Sequence, residues 1–331
     1  MTPPARIVRI VPVLALVAAA AGCGNVGWVV KPVPLEEELV ETTVRRDAGL
    51  VVPHKIAVVD VDGLLVNRRE RGLLGMGENP VSLFIEKLDK AAEDRNVRAV
   101  VLRINSPGGG VTASDIMYRR LMRFRQRRKV PVVAIIEDVG ASGGYYLACG
   151  ADTIVAHPTS VTGSIGVLVQ TVSFAGTMDK LGIDAEAVTS GPYKDLASPL
   201  KPLDDDDRAI LQAMVHEYYQ RFCAVVGAGR SDLSDERVKA LADGRVYTGR
   251  QAAANGLVDA AGDMDDAIAA AKKLAGVDRV RVVMYHRPWG AKPNAHAAGG
   301  LPAQLNLVNI TVPGLMDLAR PRFLYLWTGR R

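Results

Sequence analysis

The sequence predicts an α/β protein built on a mainly parallel sheet flanked by helices, and three observations carry that expectation. Apolar runs rich in β-branched residues recur at 56–66, 98–104 and 130–136, as expected of strands covered on both faces. Segments with apolar residues at helical spacing lie between them, the alternation that builds parallel sheets. Two of the runs end in glycine-rich turns, and open α/β sheets hold their ligands at the carboxyl ends of strands.

Taken from the amino end, Arg6 and Arg9 precede an apolar run at 10–21 that is too short to span a membrane. That is the shape of a signal peptide. It closes on Ala20-Ala21-Gly22-Cys23, which resembles the lipobox of bacterial lipoproteins and implies a lipid on Cys23 once residues 1–22 are removed. A plain secretory signal with an incidental Cys23 is the alternative, and either exports the chain. Residues 23–53, Val/Pro-rich and then charged, read as a tether. A strand follows at 56–66, interrupted by Asp60, Asp62 and Gly63. A helix at 81–96 turns Leu83, Phe84, Leu88, Ala91 and Ala92 inward. After the strand at 98–104, a helix at 112–129 buries Ile116, Met117, Leu121 and Phe124. Its other face carries Arg119, Arg120, Arg123, Arg125, Arg127 and Arg128, read as a solvated crossover helix rather than a membrane or subunit contact.

Short strands are expected at 152–156 and within 161–167. Beyond residue 200 the pattern is helical: Asp204 to Asp207 favour a helix start through the macrodipole, with helices at 210–226, 234–242, 248–255 and 264–274. A late strand at 279–285 precedes a Pro/Gly/Ala-rich loop at 288–305, and the apolar end at 320–327 is expected to dock on the body or on a neighbour.

The chain has 331 residues, 48% hydrophobic and 23% charged, enough for a sizeable core. A formal charge of +5, partly owed to the leader arginines, gives no indication of nucleic acid. No Walker A pattern points to ATP. Cys149 and Cys223 show no CxxC or Cys/His spacing, so neither a metal nor another cofactor is expected. Cys149 reads as a small core residue.

The chemistry concentrates in Gly140-Ala141-Ser142-Gly143-Gly144, a small-residue turn between an apolar strand and a helix-like segment. A serine there can meet a ligand at a strand end, with helix N–H groups aimed at developing negative charge. The second turn, Asn105-Ser106-Pro107-Gly108-Gly109-Gly110, lets backbone approach closely and suits an oxyanion. A serine needs a base to take its proton. The pattern G-x-S-x-G fits the elbow of α/β-hydrolases, which would draw on His157, His216, His286 or His296, though none has a setting that marks it. Lys194, in the turn-rich Ser190-Gly191-Pro192-Tyr193-Lys194-Asp195, serves only if desolvated, because a free lysine titrates near about 10.4. A non-catalytic role for both turns completes the alternatives.

Four blocks in order resemble the signal peptide peptidase A family, peptidase family S49, in its short form: 101–110, 141–146, 162–167 and 190–195. The resemblance spans about residues 55–287, and Tyr325-Leu326-Trp327 also resembles short members. It implies a crotonase-like (Clp protease-like) fold over residues 54–288; the loop and docking tail at 289–331 that follow are read from composition and apolar content. It implies a Ser-Lys dyad of Ser142 as nucleophile and Lys194 as general base, with oxyanion donors from Gly109 or the adjacent Gly110, and Gly143. No cofactor is implied. The expected activity is cleavage of signal-peptide remnants or short apolar peptides by an exported, membrane-tethered endopeptidase. The family further suggests a homo-oligomeric ring with dyads completed across subunits. A histidine-based esterase and a non-catalytic envelope scaffold are the competing expectations.

Overall fold

A computed structural model describes residues 38–68, 71–72, 75–76, 78–288, 294 and 322–328. The leader, Cys23, the first part of the tether, His296 and most of the loop after residue 288 lie outside the described residues.

In chain order the elements are β1 (Val40–Arg46), β2 (Lys55–Asp62), the two-residue strands β3 (Arg71–Gly72) and β4 (Gly75–Met76), α1 (Pro80–Glu93), β5 (Val97–Ser106), β6 (Gly108–Gly110) and α2 (Val111–Arg128). Then come β7 (Val132–Ala141), α3 (Gly143–Ala148), β8 (Thr153–Ala156), β9 (Val161–Gly163), β10 (Leu168–Gln170) and α4 (Ala175–Lys180). Last are α5 (Asp205–Gly229), α6 (Asp235–Leu241), β11 (Val246–Thr248), α7 (Gly249–Ala254), β12 (Ala260–Ala261), α8 (Met264–Ala275), β13 (Arg281–His286) and β14 (Arg322–Leu326).

The main sheet runs β1-β13-β2-β5-β7-β8-β12, and β9 joins β7 to β11. Its centre is parallel, as the apolar runs predict: β13, β2, β5, β7 and β8 all point one way, while β1 and β11 are antiparallel at the margins. Strand alternation splits the apolar residues into two layers. Ala57, Val59, Leu102, Ile104, Ala134 and Ile136 face α1, α2, α3 and α5; Ile56, Val58, Val101, Val133 and Ile135 face α8.

Helix starts follow local chemistry. Asn79 accepts the N–H groups of Val81 and Ser82 ahead of α1, Asp204 caps α5, and Thr248 and Asp263 form capping boxes at α7 and α8. Half of the six arginines of α2 reach the body: Arg120 pairs with Asp89, Arg125 with Asp152, and Arg128 donates to the Asp94 carbonyl, while Arg119 pairs with Asp115 within the helix.

The structure departs from expectation in one place and adds to it in two. Val40–Arg46, read as tether, is the edge strand β1; its mostly exposed side chains carry no core signal because an edge strand binds through backbone. The stretch after β10 up to α5 carries little regular structure beyond α4 and exposes Leu181, Ile183, Val188 and Tyr193. The terminal β14 folds back between β6 and β10 as the centre of a separate three-stranded sheet.

Candidate active site

Ser142 stands between the carboxyl end of β7 and the start of α3 at φ 52°, ψ −113°, a conformation costly for a residue with a side chain. It is held there by its own N–H donating to the Gly163 carbonyl (2.8 Å) and its carbonyl accepting the Tyr146 N–H (2.8 Å). The residue is 1% exposed. The glycine after it is required by space: a Cβ on Gly143 would lie 2.4 Å from Ser114 Oγ and 3.1 Å from Gly108 Cα. Gly143 is the first residue of α3, so its N–H has no acceptor within the helix.

The second glycine turn lies directly against this one. Ser106 Oγ donates to the Gly63 carbonyl (2.6 Å) and accepts the Gly108 N–H (3.1 Å), pinning the turn to the end of β2. Gly110 donates its N–H to the Leu65 carbonyl (2.8 Å), and Leu65 N–H donates to Gly108 (2.9 Å). Gly109, alternating with these, turns its own N–H to the other side, toward its register partner Tyr325 in β14. Gly109 therefore keeps an N–H on the cleft side, while that of Gly110 is engaged within the scaffold.

The cleft itself holds an extended segment of the same chain. Leu324, Tyr325 and Leu326 pair with Gly110, Gly109 and Gly108, and Leu324, Phe323 and Arg322 pair with β10 on the opposite edge. Trp327 N–H donates to the Pro107 carbonyl (2.9 Å). A Cβ on Gly108, which sits at φ 97°, would lie 2.1 Å from the Tyr325 carbonyl oxygen and 2.6 Å from the Gly143 nitrogen, so these two groups flank one point. The Tyr325 ring is fully buried, stacked on Tyr146 (centroids 5.1 Å apart) and tilted against Phe222 (4.7 Å), with its hydroxyl donating to the Tyr218 carbonyl (2.7 Å). Tyr146 in turn donates to Asp115 Oδ1 (2.6 Å). Burial, with the Asp115 carboxylate beside it, pushes the Tyr146 hydroxyl well above the ordinary phenol range.

Leu324 and Leu326 line a cavity of about 420 Å³ together with Ser142, Ser164, Gln212, His216 and Tyr219. Ser164, embedded in the turn at 161–167, is a site residue the sequence reading passed over. It is 8% exposed and held at φ 49°. A non-glycine residue in the left-handed region beside the nucleophile candidate was not readable from residue type.

The base candidates fall in different places. His157 bonds Thr159 and His286 bonds Thr42, both away from Ser142. His216 lines the Ser142 cavity, and the ring interaction recorded for it is with Gln220, not with a carboxylate. Lys194 is exposed on its turn and does not line that cavity. Cys149 and Cys223 are both free thiols, and burial pushes the Cys149 thiol up to about 12, as befits an inert core group. Among the described residues, no group of three or more His, Cys, Asp and Glu is arranged to hold a metal, and no helix is long and apolar enough to cross a membrane.

Comparison with known proteins follows the same line. The model of peptidase family S49 matches residues 124–278. A relative from Enterococcus faecium that carries the name signal peptide peptidase SppA is 34% identical over 248 residues, 75% of this chain and 71% of its own. A Synechocystis sp. protein named as a protease is 37% identical over 228 residues, 69% of this chain and 77% of its own. Protease 4 of Salmonella typhi is 36% identical over 231 residues, which cover 70% of this chain but 36% of the longer relative.

Proposed function

Because the chain belongs to peptidase family S49, we propose that it is a serine endopeptidase working through a Ser142–Lys194 dyad on a crotonase-like fold. The observation that carries this reading is β14: an extended peptide lies in register along the Gly108–Gly110 strand, with a backbone carbonyl at Gly143 beside Ser142. A cleft that pairs a peptide on both edges binds by main-chain hydrogen bonds and takes alternate side chains to opposite sides. An external substrate occupies the same strand position once the tail withdraws.

The reaction then runs as acyl transfer. Ser142 Oγ attacks the scissile carbonyl carbon while neutral Lys194 Nζ takes the hydroxyl proton. The negative charge that develops on the carbonyl oxygen meets the N–H groups of Gly109 and Gly143. The C–N bond breaks as Lys194 returns the proton to the leaving amine. Water, deprotonated by the same lysine, adds to the ester carbonyl, and the C–O bond breaks as the lysine returns that proton to Ser142 Oγ.

Lys194 sits outside its own chain's Ser142 cavity, so its partner in this reading is the serine of a neighbouring copy in a homo-oligomeric ring. Entry into a buried cavity beside apolar side chains supplies the desolvation that a lysine base requires. The leader and Cys23 support an exported, lipid-anchored enzyme acting on apolar peptides such as cleaved signal peptides. The buried Tyr325 ring and the half-buried Leu324 and Leu326 in the cleft support an apolar substrate.

Fluorophosphonate labelling of the purified protein, with peptide mapping of the adduct, tests the dyad. Label on Ser142 that is lost in Lys194→Ala is the expected result. Label that survives in Lys194→Ala but is lost in His216→Ala transfers the role to the histidine, and no label on the folded wild type favours a non-catalytic scaffold.

A further inference from the structure

Lys194 belongs to an exposed stretch that has no core of its own to fix its position. Its turn closes on itself through Lys194 N–H to the Gly191 carbonyl (3.2 Å), Leu196 N–H to Tyr193 (3.2 Å) and Ser198 N–H to Asp195 (2.9 Å). Such a local turn says nothing about where it is held. What holds it is a cluster outside the chemistry. Lys201 Nζ lies 3.0 Å from Asp195 Oδ1, the neighbour of Lys194, and 3.0 Å from Asp207 Oδ2, with Asp204 Oδ2 at 3.6 Å.

Asp207 is the buried member. Its side chain is 2% exposed, and it also accepts the Ala197 N–H (3.2 Å). Ala197 is itself buried and sits at φ 52°, a conformation a non-glycine residue keeps only where its surroundings fix it. Asp207 lies in the first turn of α5, and later turns of that helix carry Gln212, Val215, His216 and Tyr219 into the Ser142 cavity. One rigid helix thus joins the lysine turn to the wall of the chain's own serine site. The contacts to Asp195 and Asp207 raise the pKa of Lys201, so it stays an ammonium ion and acts as a clamp instead of a second base.

We propose that Asp207 and Lys201 are positioning residues for Lys194, a charged clamp that ties the lysine turn to the start of α5 and so sets where Lys194 Nζ arrives. The proposal rests on the dyad reading above. Positioning errors of about 1 Å cost on the order of a hundredfold in rate, so loosening the clamp lowers turnover without touching the peptide cleft.

The test is steady-state cleavage of an apolar peptide by Asp207→Asn, Lys201→Met and Lys201→Arg in the full-length protein, with Lys194→Ala alongside. Asp207→Asn keeps an acceptor for Ala197 N–H and removes the charge. The expected result is a fall in kcat of about tenfold to a hundredfold in Asp207→Asn and Lys201→Met. KM stays within about twofold, and Lys201→Arg recovers kcat to within about threefold, because it restores the cation. If Asp207→Asn fails to fold, the Lys201 pair decides alone. Unchanged kcat, a rise in KM instead, or Lys201→Arg no better than Lys201→Met overturns the clamp. Wild-type turnover in Lys194→Ala overturns the dyad and the clamp together; an inactive Lys194→Ala beside fully active clamp variants overturns the clamp alone.

Discussion

At Ser142 the chain accepts a left-handed backbone so that one hydroxyl stands at a strand end, facing a strand of glycines. The neighbouring positions have no room for side chains: a Cβ at Gly143 meets Ser114 Oγ at 2.4 Å and the Gly108 backbone at 3.1 Å. Gly143→Ala is therefore expected to push β6 and α3 apart and to displace the N–H proposed as an oxyanion donor. Loss of one such donor costs about a hundredfold to a thousandfold in kcat. Comparing kcat with the melting temperature checks this: activity should collapse by more than the overpacking penalty of about 1–3 kcal/mol would explain. The seat of Ser142 between β7 and α3 was legible in the sequence because an apolar run ends there in a small-residue turn. The residues alone offered Lys194 as one candidate base among several, since an exposed lysine in a turn looks like any other, and the resemblance put it first.

Among the elements, β14 ties sequence most directly to function. Its odd residues Phe323 and Tyr325 contact aromatic rings of α3 and α5, while Leu324 and Leu326 face the cavity beside Ser142. Under the proposed reading, a tail tethered to the body would compete with substrate at high effective concentration. Truncation before Arg322 should lower KM for an extended apolar peptide at least severalfold, read by steady-state kinetics on the full and truncated chains. An unchanged or higher KM would mean that the tail forms part of the site instead of blocking it. The apolar runs revealed the central strands and the helical spacing revealed α1, α2, α5 and α8, because burial writes a period into sequence. β14 was foreseen only as an apolar end that docks. Its pairing with β6 depends on glycines more than two hundred positions away, and no local pattern encodes that. β1 was missed for the related reason that an edge strand with exposed side chains resembles a linker.

Over the whole molecule, Ser142 lines a cavity beside the tail, and the turn that bears Lys194 does not line it. The stretch bearing that turn exposes Leu181, Ile183, Val188 and Tyr193. The proposed ring would close two gaps at once, covering that surface and bringing Lys194 into a cavity dry enough to hold it neutral. The most direct test is complementation between inactive variants. Ser142→Ala and Lys194→Ala, each inactive alone, are unfolded together and refolded as mixed oligomers, and peptidase activity is measured. Activity regained on mixing is the predicted result, because a lysine from one variant then meets a serine from the other. Mixed oligomers that form yet stay inactive would contradict a dyad shared between copies.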